Sequence, residues 1–198
     1  MLPFEAANLG RASRVVLNGG LIVFPTDTVY GLGANPFDEV AVGRLFKAKG
    51  RGSNPIPVLC ASERHARRLV SLSQEAIDLA NEFWPGPLTI VGRQRLKLPE
   101  AIHQGTGAVG VRVPGSELCL ELIGLCGGYL TGTSANRSGR PSSRSAEEAC
   151  SQLGTRVDLI LDGGRLGGAE STVVRFVGKR VEVLRQGRVE VSGATKRK

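Results

Sequence analysis

Cationic and hydroxyl side chains gather at a few points of this sequence, and their spacing suits the holding of anions. Lys47, Lys49 and Arg51 close a helix-like segment and enter the loop Gly50-Arg51-Gly52-Ser53-Asn54-Pro55. Glycines there let the backbone approach a ligand, and the cations can hold phosphate oxygens. Lysines near a helix end also complement the macrodipole, so this motif is weak alone. Arg112 is sharper. Val109, Val111 and Val113 alternate with it in a run that stops at Pro114, leaving a guanidinium at a strand's end where it can take a carboxylate in two-point fashion; a solvated edge arginine is the plain alternative. Thr131 to Ser142 follows another apolar run and packs Ser134, Asn136, Arg140 and Ser142 among glycines, offering donors for phosphates and acceptors for ribose or base, although a simple turn has a similar composition. A glycine-rich stretch from Asp162 to Thr172 and Arg185, after Val181–Leu184, complete the set.

Strand-like runs at Leu21–Phe24, Leu88–Val91, Val109–Val113, Tyr129–Thr131, Leu159–Leu161, Thr172–Phe176 and Val181–Leu184 must position these groups. Helices are expected over Pro36–Ala48, capped by Asn35 with Val40, Leu45 and Phe46 on the buried face, and near 6–18, 62–70, 74–83, 116–125 and 145–153. Alternation of the two types predicts an α/β domain, and late strands without helices between them predict a mixed sheet. Leu21–Phe24 is a buried strand ended by Pro25, and Thr26, Asp27, Thr28 and Tyr30 then fall at its carboxyl end, the edge where open α/β sheets bind ligands.

The chain has 198 residues, 41% of them apolar, enough for one domain with a sizeable core. Twenty-six Lys and Arg against eighteen Asp and Glu give a charge of +8, which favours anionic partners such as nucleotides or RNA. Cys60, Cys119, Cys126 and Cys150 lack CxxC spacing and read as buried, reduced core positions; with only His65 and His103 besides, a zinc site or a histidine-based triad is disfavoured. No apolar run reaches the roughly 20 residues of a membrane span and the N-terminus lacks the features of a signal peptide, so a cytoplasmic protein is expected. There is no GxxxxGK[ST] loop, strand-coupled GxGxxG, HExxH or GxSxG.

FPTDTVYGLGA, KAKGR, NPIPV, FWPGPLT, VGVRVPG, TSANRSGRPS, DLILDGG, ESTVV and VLRQG occur in an order that resembles the YrdC-like (TsaC) threonylcarbamoyl-AMP synthase family, single-domain type, over roughly residues 12 to 188. The resemblance implies one α/β domain over residues 1–190, with a twisted, largely mixed sheet around a large basic cavity, followed by a basic, flexible tail at 191–198. It also implies synthesis of L-threonylcarbamoyladenylate and pyrophosphate from L-threonine, bicarbonate and ATP, for threonylcarbamoyladenosine modification of tRNA. Carried over by position, Thr28, Tyr30, Arg112, Gly132 and Ser171 are the threonine-binding set. Lys49, Arg51, Asn54, Ser134, Asn136, Ser142 and Arg185 are the ATP-binding set, with Arg140 a further phosphate contact. The chain departs from the common pattern in the loop before Asn54, which is one residue shorter, at Leu59, where some members have histidine, and at Ala108 and Gln186, where many have threonine and proline.

No protein nucleophile is needed for such a reaction; Mg²⁺ arrives with ATP, and Asp27 or Glu170 can assist it. tRNA and a downstream threonylcarbamoyl transferase are the implied partners, with no membrane. Two alternatives stand beside this reading: a non-catalytic RNA-binding module, which the charge permits but the nine aromatic residues do not favour, and a paralogue that passes carbamoyl groups to another acceptor.

Overall fold

A computed structural model describes residues 1–50 and 54–196. The chain runs β1 (Leu2–Pro3), α1 (Ala6–Leu17), β2 (Ile22–Phe24), β3 (Gly31–Gly33), α2 (Glu39–Lys49), β4 (Val58–Cys60), α3 (Glu63–Leu69), β5 (Val70–Ser71), α4 (Gln74–Phe83), β6 (Leu88–Gln94), α5 (Glu100–His103) and β7 (Ala108–Arg112). It continues with α6 (Glu117–Leu125), β8 (Tyr129–Thr131), β9 (Thr133–Ser134), α7 (Ala146–Leu153), β10 (Leu159–Asp162), β11 (Thr172–Val177), β12 (Arg180–Arg185) and β13 (Thr195–Lys196).

Five helices begin in the same way. Asp38, Ser62, Ser73, Ser116 and Ser145 each accept, through the side chain, the N–H three residues on, satisfying a donor that has no partner within the helix. A glutamate follows in each first turn, where the helix dipole favours negative charge. Asp38 therefore starts α2, not Asn35 as the sequence predicts; the Asn35 side chain instead accepts from Phe37 N in a local turn. Val40, which the sequence places on the buried face, points outward at 75% exposure, because α2 turns Ala41, Val42, Leu45 and Ala48 inward instead.

The strands form two mixed sheets rather than one: β1-β10-β2-β3-β9, and β13-β12-β11-β6-β7-β4-β8 with β5 beside β6. Thr131 joins them, its hydroxyl donating to Leu32 O and accepting from Ala34 N at 2.8 Å. The first sheet is buried on both faces, which is why residues 21–24 read as an unbroken apolar run: Ile22 and Phe24 pack towards α1 and α6, Leu21 and Val23 towards α2 and α7. The second sheet is two-sided in character. Leu88, Ile90, Val174 and Val183 pack with α4 on one face, while the alternate residues of the same strands face an open cavity. Thr195–Lys196, within the stretch expected to be a tail, pairs with β12. Cys60, Cys119 and Cys126 are buried as expected, but Cys150 is exposed on α7, because the helix turns Ala146, Ala149 and Leu153 inward instead. Among the described residues no helix is long and apolar enough to cross a membrane.

Candidate active site

The cavity encloses about 540 Å³ between the second sheet and the segment that links β2 to β3. Strand periodicity builds its floor: Thr89 and Val91 of β6, Ala108, Gly110 and Arg112 of β7, Val173 and Arg175 of β11, and Leu184 of β12 all face it. Leu59 pairs in register with Arg112, so the two side chains stand next to each other on that face.

Arg112 is 5% exposed, and three bonds fix its guanidinium. Nε donates to Gly86 O at 2.9 Å, one terminal nitrogen to Thr28 Oγ1 at 3.1 Å and the other to Asp27 Oδ1. A guanidinium has five N–H groups, so two have no partner among the described residues and can serve a ligand. The proton of Thr28 is also accounted for. Thr26 Oγ1 gives its own proton to Val29 O at 2.7 Å, so in its 2.9 Å contact with Thr28 it accepts. Thr28 thus presents the cavity with a lone pair and no proton.

Ser171 sits across the floor, its hydroxyl 2.9 Å from Thr89 Oγ1 and accepting from Arg185 at 3.1 Å. Arg185 also pairs with Glu170, whose other oxygen accepts from Ser142. Glu170 and Arg185 line the cavity, whereas Ser142 reaches it through Glu170. Gly132 is backed by Leu59; a Cβ there would lie 2.5 Å from Leu59 Cγ. Tyr30 borders the cavity, but its hydroxyl points away, donating to Gly164 O at 2.6 Å and accepting from Gly163 N at 3.0 Å. Burial, together with the Asp162 carboxylate, pushes the phenol up to about 12 against the opposing hydrogen bond from Gly163. Burial likewise pushes up the Cys119 thiol, which lies within the field of Arg112 and Asp27.

All five residues of the expected threonine-binding set therefore border one space. The expected ATP-binding set is divided. Ser134 and Arg185 line the cavity, and exposed Asn54 precedes Pro55, which does so too. Lys49 is 2% exposed and lies beneath the Ser134–Asn136 turn, its ammonium donating to Ser134 O and, at 3.0 Å, to Asn136 O. The Asn136 amide donates to Arg137 O and Arg140 O, so it shapes the turn from within. Arg140 lines a neighbouring groove with Arg137 and Arg156. Arg51 lies outside the described residues. Thr89, Val91, Val173, Arg175 and Leu184 were not singled out from sequence; alternation within the runs at 88–91, 172–176 and 181–184 was the available signal.

The Sua5_yciO_yrdC family model, described as "Telomere recombination", matches residues 14–187. The chain belongs to this family. Within it, the Pyrococcus abyssi threonylcarbamoyl-AMP synthase is 41% identical over 179 residues, covering 89% of this chain and 53% of its own length. The Halorhodospira halophila threonylcarbamoyl-AMP synthase is 37% identical over 161 residues, covering 80% of this chain and 84% of its own. A crystal structure of Pyrococcus abyssi Sua5 complexed with L-threonine superposes with a TM-score of 0.88 at 40% identity, covering 92% of this chain and 55% of that one. The chain thus spans about half the length of the Pyrococcus members of the Sua5/YciO/YrdC family and most of the Halorhodospira one.

Proposed function

We propose that this chain is a transferase of the nucleotidyl type that makes L-threonylcarbamoyladenylate from L-threonine, bicarbonate and ATP, releasing pyrophosphate. The observation that carries the reading is a buried arginine with two N–H groups left over, opening into the same cavity as Arg185 and Ser134. The names of the relatives at 37% to 41% identity support it, as does the threonine complex of the Pyrococcus protein.

In this reading the two spare N–H groups of Arg112 take the substrate carboxylate as a fork. The lone pair of Thr28 accepts from the amino group and keeps it beside the fork. The amine adds to bicarbonate with loss of water to give a carbamate, whose oxygen attacks the α-phosphorus of ATP while pyrophosphate leaves. Every bond made or broken lies between substrates, so the chain contributes position and charge. Arg185, Arg51, Lys49 and Arg140 supply positive charge on the nucleotide side, Lys49 through the Ser134–Asn136 turn that it holds. Magnesium belongs to the substrate as the counter-ion of the triphosphate. The product is a mixed anhydride that a downstream transferase must consume, and the modified adenosine of tRNA is the final acceptor in this proposal. A cytoplasmic site of action accords with those partners.

The test is release of pyrophosphate from ATP and bicarbonate with and without L-threonine. Release that requires threonine supports the reading, and release indifferent to it refutes it.

A further inference from the structure

We propose that Asp27 is a positioning residue for amino-acid recognition: it holds the Arg112 fork from behind, without touching substrate. The inference rests on the reading of Arg112 given above. Thr26 and Thr28 both line the cavity, but Asp27 between them does not. Its carboxylate turns inward to Arg112, with side-chain exposures of 14% and 6% for the two partners. The Asp27 backbone is pinned as well, its carbonyl accepting from Arg188 at 2.8 Å. The space is close: a Cβ on Gly115 would lie 3.3 Å from Asp27 Oδ2.

Three groups therefore set the plane of the guanidinium, and they differ in kind. Gly86 O and Thr28 Oγ1 are neutral acceptors, whereas Asp27 carries charge. A buried guanidinium without a counter-ion is costly, and charge-assisted bonds are the stronger and more directional ones. With Asp27 in place, the guanidinium that lines the cavity is fixed in orientation before substrate arrives, so little remains to be set on binding. A carboxylate that served only as a counter-ion could vary in geometry without affecting ligand choice; one that sets the fork determines recognition of the substrate carboxylate.

The experiment measures binding of L-threonine, of L-threoninamide, which lacks the carboxylate, and of ATP to the whole chain, in wild type, Asp27→Asn, Asp27→Ala, Arg112→Lys and Asp27→Asn/Arg112→Lys. Asp27→Asn preserves shape and an acceptor oxygen, so it remains informative where Asp27→Ala unfolds. The expected result is at least a roughly 10-fold loss of threonine affinity in Asp27→Asn, with ATP affinity changed by less than about 2-fold and the preference for threonine over threoninamide reduced. In the Arg112→Lys background, Asp27→Asn should add nothing, because its effect passes through the fork. Full threonine affinity and preference in Asp27→Asn, or equal losses for threonine and ATP, overturn the inference while leaving the proposed function intact. Wild type that binds no threonine overturns both.

Discussion

Replacing Gly132 with alanine should damage the amino-acid side of the cavity through one identifiable contact. The added Cβ would lie 2.5, 2.7 and 3.1 Å from Leu59 Cγ, Cδ2 and Cδ1, all well inside van der Waals separation. Leu59 cannot easily yield, because it is 2% exposed and packed among Ile22, Phe24, Leu122 and Leu130. The backbone of residue 132 is held too, its N–H donating to Pro57 O at 2.8 Å. Overpacking of this kind costs about 1–3 kcal/mol. For a chain of this size that is a fall of roughly 2–12 °C in Tm. Leu59→Ala deletes all three opposing atoms, so in that background Gly132→Ala should cost nothing further and its methyl should refill part of the space. Thermal unfolding of the four proteins gives the coupling directly, with a value of at least about 1 kcal/mol expected. Because Leu59 stands beside Arg112, Gly132→Ala should also weaken threonine more than ATP. Equal costs for Gly132→Ala in both backgrounds would refute the reasoning.

Arg112→Ala should leave Asp27 as a buried carboxylate without a partner, lowering stability by about 3–5 kcal/mol and abolishing threonine-dependent turnover while ATP still binds; thermal unfolding and titration check this, and threonine-dependent turnover at the wild-type level contradicts it. The Tyr30 phenol is raised from 10.0 to about 12 in the fold, so the folded state keeps a proton that the unfolded chain gives up. Stability associated with Tyr30 is therefore intact below pH 10 and lost as pH rises towards 12; Tyr30→Phe should flatten that part of the stability profile, and an identical slope in both proteins would exclude the assignment. Thiol titration of the native chain should modify Cys150 quickly and the other three only on unfolding, since Cys60, Cys119 and Cys126 are buried and burial pushes each of their thiols up. Rapid labelling of more than one thiol would contradict that burial pattern.

Local sequence pattern locates elements well where the signal itself is local. The helix expected at 74–83 and the strand expected at Tyr129–Thr131 have the predicted bounds, because capping serines and apolar runs act over a few residues. It failed where two local signals competed, as at Asn35 and Asp38, and where a strand was too short and glycine-rich to show alternation, as in Gly31–Gly33. The site shows the same division. Arg112 was legible because β-branched neighbours announce its strand, and Thr28 because it follows a buried one. Asp27 behind Arg112 and the loop at Gly163 and Gly164 beneath Tyr30 were not legible, since those bonds join residues 85 to 134 positions apart. The burial of Lys49 was likewise invisible: its spacing from Arg51 suggests a phosphate, while the carbonyls that receive it come from a turn 85 residues later.

The most direct test of the whole proposal is the mass of the nucleotide product formed from ATP, L-threonine and carbon-13 bicarbonate. A threonylcarbamoyladenylate that carries the labelled carbon, absent when threonine is omitted, is the predicted result. Recovery of AMP alone, or of an adenylate without the label, would contradict the joining of amino acid, bicarbonate and nucleotide in this one cavity.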